Sequence, residues 1–246
     1  EVKNYGSNSV MKVTTSYLID DDSDEADDKV KAALISGVKK FTNQDYIETN
    51  TQVDETHFSI LSSSKVGATI ADDIKSSAFE AGLFSIIAIF LYILIRFRKV
   101  VYSAGAIIAL IHDSLFTFAA FAIARLLGVS FEIDQVFVAA LLTIIGYSIN
   151  DTVVVFDRIR EYIGYGSMKD TRQVINSAIN DTLSRTLITS GTTLIVVVVL
   201  LFFGGEVLRG FSFALLVGIG IGTYSSIFIA SPNVLDFARK EQAKIL

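Results

Sequence analysis

From Phe79 onward the chain returns again and again to apolar stretches of about 20 residues, the length an α-helix needs to cross a hydrocarbon core about 30 Å thick. Backbone polar groups inside lipid have no water to bond, so each such stretch must satisfy its own N–H and C=O groups as a helix. Five spans are predicted: Ala78 to Ile95, Val100 to Leu127, Gln135 to Phe156, Ile175 to Phe203 and Phe211 to Val234. Composition agrees. With 51% hydrophobic and 19% charged residues and a mean hydropathy of +0.52, the chain is too apolar for a soluble domain with a charged surface. The expected class is a polytopic α-helical membrane protein, with a head at 1–77, five spans at 78–235 and a tail at 236–246.

The head follows water-soluble rules. Val10 to Ile19, Tyr46 to Val53 and Phe58 to Ser63 are rich in β-branched and apolar residues and are predicted as strands. Between the first two, Ser23 opens an acid-rich helix entry, and Val30, Leu34, Val38 and Phe41 recur at helical spacing. Acids at its start and Lys39 and Lys40 at its end suit the helix dipole. A small α+β layer is expected. Much of the net charge of −5 lies in one run from Asp20 to Asp28 and reads as a solvated face. Without cysteine there is no disulfide framework, and His57 and His112, the two histidines, stand too far apart to propose a zinc site. "VGATIADDI" lacks the GK[ST] ending of a phosphate-binding loop.

Lys and Arg near helix ends are retained on the cytoplasmic side, which sets the expected orientation. Arg96, Arg98 and Lys99 follow the first span, Arg158, Arg160, Lys169 and Arg172 the third, and Arg239, Lys240 and Lys244 the fifth. Arg125 and Arg209 mark the opposite side. The head is therefore expected outside and the C-terminus inside, which calls for an export signal or a further helix before Glu1.

An ionised side chain at the bilayer centre costs about 2.5 to 3.5 kcal/mol on insertion scales, so the polar residues of the spans are the informative ones. In the second span Asp113 and Thr117 share a face. Two readings stand for Asp113: a lock between helices, or a role in ion passage. The third span places Tyr147, Asn150, Asp151, Val154 and Arg158 on one side, with Asp157 and Arg158 read as a solvated helix end. In the fourth, Ser177, Asp181, Arg185, Thr189 and Thr193 repeat every four residues as a polar stripe. Arg185 has two candidate partners, Asp181 one turn back or Asp151 across the bundle. A carboxyl beside a guanidinium can switch its proton with small movements, making Asp151 the candidate proton acceptor and Arg185 the candidate gate. Gly218 and Gly222 in the fifth span have GxxxG spacing and are assigned to close helix packing.

Four blocks carry a resemblance. "LIHDSLFT" (110–117), "GYSINDTVVVFDRIRE" (146–161), "NDTLSRTLITSGTT" (180–193) and "GIGIGTYSSIFIASP" (218–232) resemble, in this order, the SecF family, the smaller half of the bacterial SecDF export complex in the resistance-nodulation-division group. The resemblance implies half of a helical bundle whose first helix precedes a periplasmic α+β domain, a helix this sequence lacks. It implies a bacterial inner-membrane location and no bond-making chemistry or cofactor. The coupling ion would be H+ or Na+, and the function would be ion-driven promotion of preprotein export. SecD, separate or fused, is the implied partner, together with SecYEG, YajC, YidC and the exported preproteins; nucleic acid is not. Asp151 and Arg185 match residues that the family associates with proton movement, and Asp113 falls in a family motif. Asn150, Asp181, Thr117 and Thr189 are expected to support them. The alternatives are a transporter half for small molecules or lipids, and a non-transporting translocase scaffold.

Overall fold

The computed structural model describes residues 2–5, 7–21, 23, 25–48, 56–63, 68–129, 131, 133–165 and 170–243. The chain divides into two compact units, one gathering residues 12–77 with 1–3 and the other residues 78–246 with 4–11.

In the first unit, helix α1 (Glu25–Thr42) has Glu25, Asp27 and Asp28 in its first turn and Lys39 and Lys40 in its last, the charge order its dipole favours. Val30, Leu34 and Val38 lie half-buried along one line, as their spacing predicts. Phe41 departs from that line and is 90% exposed, whereas Ala26 is buried. The strands are shorter than expected. β1 (Val2–Tyr5) and β2 (Ser7–Val13) form one two-stranded sheet, and β3 (Asp45–Tyr46) and β4 (His57–Phe58) another, parallel and in register Asp45 to His57. The predicted first strand thus ends at Val13 rather than Ile19, and the predicted second strand runs mostly through residues outside those described. Tyr46 and Phe58 meet edge to face, with ring centroids 5.7 Å apart.

Lys39 Nζ reaches Asp45 Oδ1 at 2.6 Å, joining α1 to β3, and this ammonium holds the Asp45 carboxyl below its ordinary value. A depressed carboxyl stabilises the fold above its unfolded value and loses that contribution as pH falls through the folded one. Protection of the β3 amides in the full-length protein, taken relative to the intrinsic exchange rate at each pH, is therefore expected to fall on acidification past the carboxylate range. The Asp45→Asn variant should show the lower protection already at neutral pH. The pair is exposed, so the change should be small.

The second unit is a helical bundle. It contains α2 (Ala68–Phe97, which begins in the first unit), α3 (Val100–Leu126), α4 (Gln135–Tyr165), α5 (Thr171–Phe203) and α6 (Gly205–Ser225). A single π-helical turn, Ser226–Ala230, joins α6 to α7 (Ser231–Ala243). Among the described residues five segments are long and apolar enough to cross a membrane: Lys75–Phe97, Val100–Leu126, Gln135–Gly164, Thr171–Phe203 and Leu208–Ala238. These match the five predicted spans, four of them with longer ends and the second one residue shorter.

Helix ends follow local chemistry. Between α2 and α3 the chain turns over two residues, Arg98 and Lys99, with Arg98 at φ 57°. At the end of α3, Gly128 takes φ 86°, a conformation that suits glycine, while its N–H donates to the Arg125 carbonyl and that of Val129 to the Ala124 carbonyl. Asp134 Oδ1 accepts from Phe137 N at 3.0 Å at the start of α4, and Asp170 Oδ1 from Arg172 N at 3.1 Å at the start of α5.

The bundle core has three layers. One apolar cluster holds Ile93 and Phe97 of α2, Tyr102, Ala106 and Ala109 of α3, Val155, Phe156 and Ile159 of α4, Val174, Ile175 and Ala178 of α5, and Ala230 and Val234. The second holds Phe121 of α3, Phe137, Ala140 and Ile144 of α4, Val197 of α5, and Ala214, Leu215 and Ile219 of α6. Between them lies a group of buried polar residues, Asp113 and Thr117 on α3, Ser148, Asp151 and Thr152 on α4, Thr182, Thr186 and Ser190 on α5, Ser225 at the end of α6 and Ser226 in the π turn. The order of layers reverses from each helix to the next, so α3 to α6 run up and down in alternation.

Close approach of α4 and α6 depends on the two glycines. A Cβ on Gly218 would sit 2.3 Å from Ile144 Cδ1, and one on Gly222 would sit 2.9 Å from Ser148 Cβ. Their GxxxG spacing is used for packing, as predicted.

Candidate functional site

The polar layer contains two carboxyl groups, each in a cage of hydroxyls. Asp113, in the middle of α3, is 1% exposed. Its Oδ2 accepts from Ser148 Oγ of α4 at 2.6 Å and from Ser225 Oγ of α6 at 2.8 Å, and its Oδ1 lies 3.1 Å from His112 Nδ1. Thr117 does not reach the carboxyl; its hydroxyl donates to the Asp113 backbone carbonyl at 2.8 Å.

Asp151, one turn beyond Ser148 on α4, is 3% exposed. Its Oδ2 accepts from Ser190 Oγ of α5 at 3.2 Å, and Thr223 Oγ1 of α6 donates to Ser190 Oγ at 2.7 Å. Helices α4 and α6 therefore serve both acids, Ser148 and Ser225 turning to Asp113, Asp151 and Thr223 to the other cage. Isolated ionised carboxylates are costly in such surroundings, while hydroxyls satisfy a carboxyl in either protonation state.

The structure redistributes the predicted residues. Neither candidate partner of Arg185 is realised as an ion pair: among the described residues its guanidinium pairs with neither Asp181 nor Asp151, although its charge acts on Asp151 at longer range. Asp181 instead pairs with Arg158 of α4, at 2.7 Å from Nη2 and 3.2 Å from Nε, and accepts a hydrogen bond from Tyr162. Arg158 also reaches Glu161 at 2.7 Å, so it is more than a solvated helix end. A second bridge, Arg96 to Asp157 at 2.9 Å, ties α2 to α4, and Arg160 donates to the Arg96 carbonyl. Val154, Arg158, Asp181 and Arg185 are among the residues lining a cavity of about 380 Å³ beside this ionic group.

The polar stripe of α5 faces out of this chain. Asp181, Arg185 and Thr189 are exposed on this chain, while Ala178, Thr182, Thr186 and Ser190, one residue further on, are buried. Tyr147 Oη reaches over to the Thr189 carbonyl at 3.0 Å and to Thr193 Oγ1 at 3.1 Å, covering part of that stripe. Asn150 is exposed and lies outside the Asp151 cage. Of the cage residues, Ser225 reads from sequence only as a small packing residue of the fifth span, and Ser148, Ser190 and Thr223 were not singled out. Their signal was present in the four-residue spacing of Ser148 from Thr152 and in the buried line of α5, but single hydroxyls among small residues look alike until helix rotation is known.

Five spanning helices around a buried polar layer define a multi-pass helical membrane protein. Its family is specific: residues 45–240 match the family described as Protein export membrane protein SecD/SecF, C-terminal, and the chain belongs to that family. It is 52% identical over 191 residues to the protein translocase subunit SecF of Rhodothermus marinus, an alignment covering 77% of this chain and 62% of that protein. To the SecF subunit of Vibrio alginolyticus it is 46% identical over 177 residues, covering 72% and 54%. The chain thus spans less than two thirds of the length of these relatives. Its fold is similar to a crystal structure of the translocon-associated membrane protein SecDF from Thermus, with a TM-score of 0.63 and 42% identity over 71% of this chain and 23% of the other. A SecDF structure in a super-membrane-facing form gives 0.62 and 41% over 73% and 23%.

Proposed function

We propose that this chain is the SecF-type half of an ion-driven accessory machine for protein export in the bacterial cytoplasmic membrane. The observation that carries the reading is Asp151, buried in a hydroxyl cage with a guanidinium, Arg185, near enough to act on it yet free of an ion pair among the described residues. Gain or loss of a cation at Asp151 changes its attraction for Arg185, and a helix movement follows. The exposed stripe of Asp181, Arg185 and Thr189 is the face on which a SecD-type half would pack. The head lies outside and the C-terminus in the cytoplasm, which puts the basic ends of α2 and α4 on the positive-inside side. SecYEG, YajC and YidC are the remaining partners under this reading, preproteins the cargo, and H+ or Na+ the driving ion. The work is conformational, with no covalent step.

The test uses cells with normal levels of the complex and measures the gradient-dependent part of preprotein export. Asp151→Asn and Arg185→Met are each expected to abolish that part while leaving the gradient-independent part intact. Full gradient dependence in both variants would overturn the reading.

A further inference from the structure

We propose that His112 and Asp113 form a second proton-holding centre in the bundle, separate from Asp151, in which the carboxyl of Asp113 donates its proton to His112 Nδ1. Geometry assigns each oxygen a role. Oδ2, with two lone pairs, accepts from Ser148 and Ser225 at 2.6 and 2.8 Å and is the carbonyl oxygen of the acid; Oδ1, 3.1 Å from Nδ1, carries the proton. Every donor and acceptor of the carboxyl is then matched, with the imidazole in its Nε2–H tautomer.

Charge balance leads to the same assignment. Asp151 has Arg185 within electrostatic reach, but among the described residues no comparable cation stands near Asp113. The elements packed against α3 are α4, α6, the π turn and α7; α4 and α6 offer Ser148 and Ser225, and among the described residues no charged side chain from these elements acts on this carboxyl. His112 is the one titratable group that does, and among the described residues a proton between the two is the means of keeping the pair neutral. In apolar surroundings two neutral groups are favoured over a separated carboxylate and imidazolium.

Release is a balanced relay. The Oδ1 proton moves to Nδ1 while Nε2 gives its proton to a water molecule or another base, and uptake reverses both steps. His112 keeps 30% of its side chain exposed on this chain, so its Nε2 can meet a group or water held by whatever packs on that face, which the enclosed carboxyl cannot. Because α6 supplies Ser225 to this cage and Thr223 to the other, a change at either centre is felt by the same helix.

This inference rests on the ion-coupled reading, but its test reads protonation rather than export, so the two can fail separately. Infrared difference spectra of the full complex in lipid nanodiscs, recorded against pH, follow the carboxyl C=O stretch. The expected result is a carboxyl band at neutral pH that disappears in Asp113→Asn and persists in Asp151→Asn. In His112→Phe the band should move to the higher frequency of a carboxyl without an acceptor. Retained export-complex assembly in Asp113→Asn, which keeps an acceptor for both serines, guards against misfolding. An unchanged spectrum in Asp113→Asn would overturn the proposal. So would loss of the band on adding sodium chloride at constant pH, which would make the occupant Na+.

Discussion

Gly218→Ala is expected to destabilise the bundle by about 1 to 3 kcal/mol, the range for inserting a methyl group into a filled core. The added Cβ would lie 2.3, 2.4 and 2.7 Å from Ile144 Cδ1, Cγ1 and Cγ2, so the whole side chain of Ile144 or the two helices must move. Gly220→Ala is the control on the same helix, because a Cβ there meets nothing within 4 Å. Unfolding in mixed micelles with increasing SDS should separate the two variants. Ile144→Ala in the Gly218→Ala background should recover much of the loss, as expected of residues in direct contact. Equal stability of the Gly218→Ala and Gly220→Ala proteins would show that α4 and α6 are not locked at this point. The consequence for the site is direct, since one turn further on Gly222 faces Ser148, whose hydroxyl holds Asp113.

Phe156→Ala should cost about 2 kcal/mol, taking a void of about 100 Å³ at about 24 cal/mol per Å³. The usual transfer term is left out because lipid tails are as apolar as the core, so packing rather than water exclusion decides the size. Phe156 is fully buried and lies against Tyr102 with centroids 5.1 Å apart and planes inclined at 60°, and edge-on to Phe97 at 5.9 Å. These rings join the end of α2 and the start of α3 to α4, and the Arg96–Asp157 bridge and the Arg160 guanidinium over Phe97 surround them. Loss of the ring should therefore loosen α2 as well as α4. Amide exchange near Phe97 should rise in Phe156→Ala and return toward normal in Phe156→Leu. Unchanged exchange at the end of α2 would place its anchorage elsewhere.

How much of this was readable beforehand differs by feature. Span length and apolarity sufficed to place all five membrane helices, since lipid leaves a chain of that kind few alternatives. GxxxG spacing correctly identified Gly218 and Gly222 as packing positions. The strands of the head were read too long because β propensity reflects packing against neighbours as much as local preference. On α5, the four-residue repeat was legible, but the neighbour it faces was not: Asp181 and Arg185 point out of this chain and Thr182, Thr186 and Ser190 point in. A shift of one residue rotates a helix by about 100°, and a polar repeat does not say whether its partner lies within the chain or beyond it. The expected pairing of Arg185 failed for the same reason, with Arg158 taking Asp181.

The length and apolarity of the sequence's stretches by themselves determined five segments able to cross a membrane, and four motif blocks carried the resemblance to the family. Only the tertiary structure decided which acids are enclosed and by what. The hydroxyls of Asp113 and Asp151 come from helices distant in sequence, 35 and 112 residues away for Asp113 and 39 for Asp151, and their arrival depends on how the helices rotate and how closely α4 and α6 approach. Membrane insertion is a property of each segment in its solvent, readable one stretch at a time. A cage is a property of several segments at once, set by packing.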